Sequence, residues 1–74
     1  MNSFNRTQVG FDNYGRPLYE HRLDGTSVVV VRMDPERNRG WAIHDEDRGV
    51  NVSDAWHLVD AKALAIRYAE EETA

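Results

Sequence analysis

Four consecutive residues, His44-Asp45-Glu46-Asp47, set an imidazole beside three carboxyl groups, and His57 follows within the same acidic half of the chain. Imidazole and carboxylate together suit a divalent metal. A regular strand, however, sends neighbouring side chains to opposite faces, so His44 and Asp45 cannot aim at one ion there. The spacing is not that of a helix-loop-helix calcium loop, which needs acids at alternating positions and a glycine at the sixth. No HExxH pair occurs either. The reading is a hydrophilic turn with solvated charges, and no metal site.

Nucleophilic catalysis finds little to work with. The chain has no cysteine, which removes thiolate chemistry, disulfides and thiolate metal sites together. Ser3, Ser27 and Ser53 lack the context of a nucleophile elbow. His21, between Glu20 and Arg22, reads as a strand histidine rather than a general base. A domain of 74 residues has little room for a pocket of the usual size. No catalytic residue and no cofactor is expected.

The arginines offer a different chemistry. Arg16, Arg22, Arg32, Arg37 and Arg39 fall on the early strands and the loop after them, interleaved with Tyr14 and Tyr19. Basic sheet surfaces bearing aromatic rings stack single-stranded bases. Charge works against this reading, because DNA binding draws much of its affinity from phosphate neutralisation and the net charge is −4. The sign is divided along the chain: residues 1–40 carry +1 and residues 41–74 carry −5.

These residues need elements to place them. The length permits one domain, expected over residues 7–74 after a flexible N-terminus at 1–6. So short a chain buries only about 60% of its unfolded surface, which favours help from a partner or a second copy. No apolar run approaches the roughly 20 residues of a membrane span. The opening "MNSFNRTQ" lacks the regions of a signal peptide. The expectation is a cytoplasmic protein without a membrane role.

"TQVGFD", "RPLYEHRL", "TSVVVVRM", "WAIHD" and "VNVSDAW" read as strands, with turn signals at "NYG", Asp24-Gly25, "DPERNRG" and "EDRG". Ala61, Leu64, Ala65 and Tyr68 share one helical face. The helix is placed at about 60–72, capped by Asp60, with Val59 and Leu64 as a hydrophobic staple. Trp41 and Trp56 are expected in the core, and Ile66 lies off the apolar helix face. The fold class is α+β: an antiparallel meander of four to five strands with one C-terminal helix packed on one face.

Val28 to Val31 do not alternate with polar residues, so each side of the sheet receives a valine pair. One helix cannot cover both. The N-terminal segment with Phe4, Val9 and Phe11 folds over the second face, or valine simply suits strands and a modest exposed patch is tolerated, or that face is an interface.

The segment "SVVVVRMD" through "GWAIHDEDRGVNVSDAWHLVDAKALAIRYAEE" resembles small phage and bacterial domains with a strand, a "GW" strand, a third strand and a helix. The AP2-like amino-terminal arm-binding domains of phage integrases share this layout. The resemblance spans residues 28–72, and its matching positions are Gly40, Trp41, Asp60, Ala61, Lys62 and Ala65. It implies DNA contact through the sheet. Those arms are basic, whereas this segment is acidic.

The function expected is a small non-enzymatic protein-interaction module, a phage-type regulator or inhibitor that binds a host protein or a second copy of itself. Its contacts would be Val29, Val31, Met33 and Ile66, with Arg32 and Tyr19 as anchors. Val28 and Val30 replace Val29 and Val31 if the strand faces the other way. The alternative is a nucleic-acid-binding module using Arg16, Arg22, Arg32 and Arg39.

Overall fold

β-branched side chains fit a pleated strand and lose rotamer freedom in a helix, and Val28 to Val31 form the middle of a sheet accordingly. The computed structural model describes residues 3–33 and 40–73. The strands are β1 (Phe4–Phe11), β2 (Pro17–Leu23), β3 (Val28–Arg32), β4 (Trp41–Asp45) and β5 (Val50–Ala55), and helix α1 (Leu58–Thr73) ends the fold. Each strand pairs antiparallel with the next in the order β1-β2-β3-β4-β5. α1 packs back across β3, β4 and β5. The fold is α+β, a five-stranded meander with one C-terminal helix on one face.

Register assigns the faces. Val28 pairs with Asp45, Val30 with Ile43 and Arg32 with Trp41. Val28, Val30 and Ile43 form the core with Leu23, Ala61 and Ala65, so this row lies beneath the helix. Ala61 and Ala65 are fully buried one helical turn apart, and their small side chains let the helix lie close to the sheet. Val29 and Val31 belong to the other side, beside His44 and Ala42.

Both outer strands carry one extra residue. The β1–β2 register jumps between Gln8 and Gly10, leaving Val9 bulged, and the β4–β5 register jumps at Ile43/His44, leaving Val52 bulged. Residues 24–27 connect β2 to β3, with Gly25 at φ 76° and Thr26 N–H donating to the Leu23 carbonyl at 3.1 Å. A left-handed φ costs glycine little, which explains the turn signal at Asp24-Gly25. Gly40 answers a different need. A Cβ there would meet the Ala55 carbonyl oxygen and the Met33 methyl, each at 2.8 Å. The "GW" pair thus marks a close approach of β4 to the end of β5.

Several expectations change. Strand β1 begins at Phe4, inside the segment expected to be flexible, because Phe4 packs against the core cluster. The N-terminal segment does not fold over the second face; it adds a strand at the sheet edge. The helix starts at Leu58, and its first bond runs from Ala61 N–H to the His57 carbonyl at 3.0 Å. Asp60 therefore sits in the first turn, where its charge complements the helix dipole, rather than at the cap. Val59 is 74% exposed and forms no staple, and Trp56, at 72%, lies outside the core. The loop residues Asp34, Pro35, Arg37 and Arg39 lie outside the described residues. Among the described residues no helix is long and apolar enough to cross a membrane.

Candidate functional site

The acidic stretch at the end of β4 separates as strand geometry requires. His44 faces away from the helix, its Nδ1 2.8 Å from Asn51 Oδ1. Asp45 turns under the helix and is buried. Its Oδ2 accepts the Tyr68 hydroxyl at 2.6 Å, and its Oδ1 accepts the backbone N–H groups of Asp47 at 3.0 Å and Arg48 at 3.4 Å. These donors hold the Asp45 carboxyl below its usual range, the Tyr68 bond contributing most. The same bond pushes the Tyr68 phenol up. Arg48 also pairs with Glu72 at the helix end. The carboxylate that reads as surface charge therefore fastens the β4–β5 turn to α1. Among the described residues no group of three metal-ligating side chains forms.

On the face away from the helix, Val29 is only 1% exposed and Val31 and Met33 are partly buried. Paired neighbours Arg22 and His44 flank Val29. Arg22 reaches across to Glu46 at 2.7 Å and Glu20 at 3.9 Å. That bond holds the Glu46 carboxyl below its usual range. Long side chains thus roof the valine, and the face presents ion pairs more than apolar surface. Ile66 is partly buried against the core cluster on α1, so it belongs neither to this face nor to an exposed contact. Of the interface residues expected from the sequence, Val29, Val31 and Met33 share this face, and Ile66 does not. Tyr19 and Arg32 lie on the helix side, away from Val29 and Val31.

The exposed apolar residues are elsewhere. β2 pairs with β3 only through Glu20, His21 and Arg22, so the outer half of the β1–β2 hairpin extends past the sheet. The molecule is correspondingly long, 41 × 22 × 20 Å. Val9, Phe11 and Tyr14 on this arm are 57%, 66% and 79% exposed. Asp12 shapes the tip, its Oδ1 accepting the N–H groups of Tyr14 and Arg16, both at 2.9 Å.

Next to the arm, on the helix side, cations rest on rings. Arg6 lies 4.5 Å from the Tyr19 ring centre, Arg32 5.5 Å from Trp41, Lys62 5.3 Å from Phe4 and Arg16 5.8 Å from Tyr14. His21 meets Trp41 edge-on at 5.5 Å. Burial lowers the His21 pKa, and the positive charges of Lys62 and Arg6 lower it further. A recess of about 190 Å³ is lined by Asp12, Tyr14, Arg16, Tyr19, Arg32 and Trp41, among others. Of the arginines expected to touch nucleic acid, Arg16 and Arg32 share this recess, Arg22 lies on the opposite face, and Arg39 lies outside the described residues. Arg6, Lys62, Phe4 and Trp41 were not part of the expected set. Their convergence depends on the β1–β2 register and on the helix crossing, which no spacing along the chain encodes.

Comparison with protein-family models, with curated proteins and with solved structures finds no match. The function therefore has to be argued from this chain's own surfaces.

Proposed function

We propose that this chain is a small, non-catalytic protein-binding module that acts in the cytoplasm and makes its contact through the projecting β1–β2 hairpin. The observation that carries the reading is the exposure of Val9, Phe11 and Tyr14 together on one arm. An isolated two-stranded hairpin is at best marginally stable in water. Large apolar side chains on such an arm gain most when a partner covers them, and aromatic anchors are the usual centres of such contacts. The outer edge of β1 also offers backbone groups to an added strand. This moves the contact surface from the valine face expected from the sequence to the hairpin.

The non-catalytic part draws support from one recess, whose carboxyl and phenol are already bonded to each other. Beside the β4–β5 turn is a recess of about 440 Å³ lined by Asp45, Arg48, Tyr68 and Glu72, among others. Asp45 is held low and Tyr68 is pushed high, so both move away from the near-neutral pKa that acid–base catalysis favours. The lack of cysteine suits a reducing compartment.

Phe11→Ser with Tyr14→Ser tests the reading. Light scattering on a sizing column reports self-association, and capture from a lysate of the source cells reports other partners. A protein or second copy held by the native chain and lost by the variant supports the hairpin as the contact. A strictly monomeric native chain whose captured proteins match those of the variant overturns it.

A further inference from the structure

The helix covers β3, β4 and β5, so β1 and β2 form a shelf beside it on the same side of the sheet. Register places the side chains on that shelf. Arg6 pairs with His21, which pairs with Val30 in the helix-facing row, and Arg32 pairs with Trp41 further along it. Lys62 reaches over from α1 to the Phe4 ring. The shelf and its border with β3, β4 and the helix therefore carry Arg6, Arg32 and Lys62 together with Phe4, Tyr19 and Trp41.

Charge on this shelf differs from that of the whole chain. Among the described residues the ion pairs engage Arg22, Arg48 and Arg67. Arg6, Arg16, Arg32 and Lys62 are instead held over rings. A ring holds a cation in place without itself neutralising the charge. Glu20 pairs with Val31 and so belongs to the opposite face, and Glu70, Glu71 and Glu72 lie at the far end of the helix. Asp12, which also lines the recess with Arg16 and Arg32, turns its Oδ1 to the backbone N–H groups of Tyr14 and Arg16, and among the described residues the cations held over rings outnumber it there. At roughly 3.3 Å per residue, the run from Phe4 to Phe11 measures about 20–25 Å.

We propose that this shelf binds single-stranded nucleic acid, with phosphates on Arg6, Arg32 and Lys62 and bases stacked on the exposed planes of the Arg–aromatic pairs. Each pair supplies both requirements of such a ligand: a flat π or guanidinium surface for a base, and a fixed cation for the phosphate beside it. A duplex offers no unstacked bases to these planes, and a plain polyanion makes no use of them. The site adjoins the hairpin tip but does not depend on Val9, Phe11 or Tyr14, so it stands whether or not the arm binds protein.

Fluorescence anisotropy of a labelled oligothymidine of about a dozen nucleotides tests the proposal. The native chain is expected to bind at low salt. Its affinity is expected to fall with added salt at a logarithmic slope near about −2, as three neutralised phosphates require. Arg6→Glu and Arg32→Glu, both at exposed positions, are each expected to weaken binding about tenfold or more. Arg67→Glu, off the shelf, leaves it within a factor of about two. An abasic strand and a duplex of equal length are both expected to bind about tenfold more weakly than the oligothymidine. Circular dichroism checks that each variant is folded. Absence of binding by the native chain overturns the site. Equal losses from Arg32→Glu and Arg67→Glu overturn its location. Abasic or duplex strands bound as tightly as the oligothymidine overturn its single-strand chemistry.

Discussion

The Tyr68 hydroxyl donates to Asp45 Oδ2 at 2.6 Å, so one side chain from the helix fixes the carboxylate that also caps the β4–β5 turn. The sign of the coupling follows from the two shifts. Asp45 is held below its ordinary value, so its contribution is complete above about pH 4 and is lost as acid protonates it. Tyr68 is raised, so its contribution is complete below about pH 10 and is lost as base ionises it. Tyr68→Phe should lower the melting temperature at neutral pH. The gap from the native chain should close as the pH falls below about 4. A gap unchanged from neutral to strongly acidic pH would show that the bond is not what stabilises this end of the helix.

His21 predicts a second pH dependence, at milder acidity. Burial and the neighbouring Lys62 and Arg6 charges lower its pKa, so the folded state favours neutral imidazole. Stability from this group is complete above about pH 6.5 and declines as the pH falls through the lowered folded-state value. His21→Leu should remove that part of the decline in a series of thermal melts. A variant whose melts follow the native profile throughout would assign the decline to other groups.

Core packing should respond unequally to small changes. Ile43→Ala removes a fully buried side chain beneath the helix and should cost about 2–5 kcal/mol in denaturant unfolding. Gly40→Ala places a methyl against the Ala55 carbonyl and should cost about 1–3 kcal/mol. Met33 can swing its terminal methyl aside, but the β5 backbone cannot. A neutral Gly40→Ala result would mean that β5 shifts freely there.

The hairpin should separate binding from stability. Phe11→Ser and Tyr14→Ser each alter an exposed residue and should change unfolding free energy by no more than about 0.5 kcal/mol. Phe4→Ser, on the same strand but packed against the core cluster, should cost clearly more. Similar losses from all three would mean that the arm is folded onto the body.

Strand pattern and turn chemistry made most of the fold legible. The four valines, the Asp24-Gly25 turn and the Ala61/Leu64/Ala65/Tyr68 spacing each led to the element that forms, and Val28 and Val30 do face the helix, leaving Val29 and Val31 outside. Other features were not legible, and three show why. Phe4 looked idle because its burial depends on a partner strand and a helix far along the chain. Trp56 looked like core because alternation continues to it, while the chain leaves the sheet at Ala55. Asp45 looked like surface charge because its phenol partner is 23 residues away. In each case long-range contact overrode a sound local inference.

Val9 and Val52, the extra residues on the two outer strands, bear on the molecule's behaviour in a crowded solution. A sheet with two open borders invites neighbours to zip on and grow into fibres. A bulge breaks the even ladder and twists the border out of plane. Both borders are interrupted in this way, which disfavours a stacked ribbon of copies growing from either side. The bulges thus limit edge-to-edge growth in a small protein that bears Phe11 and Tyr14 in the open.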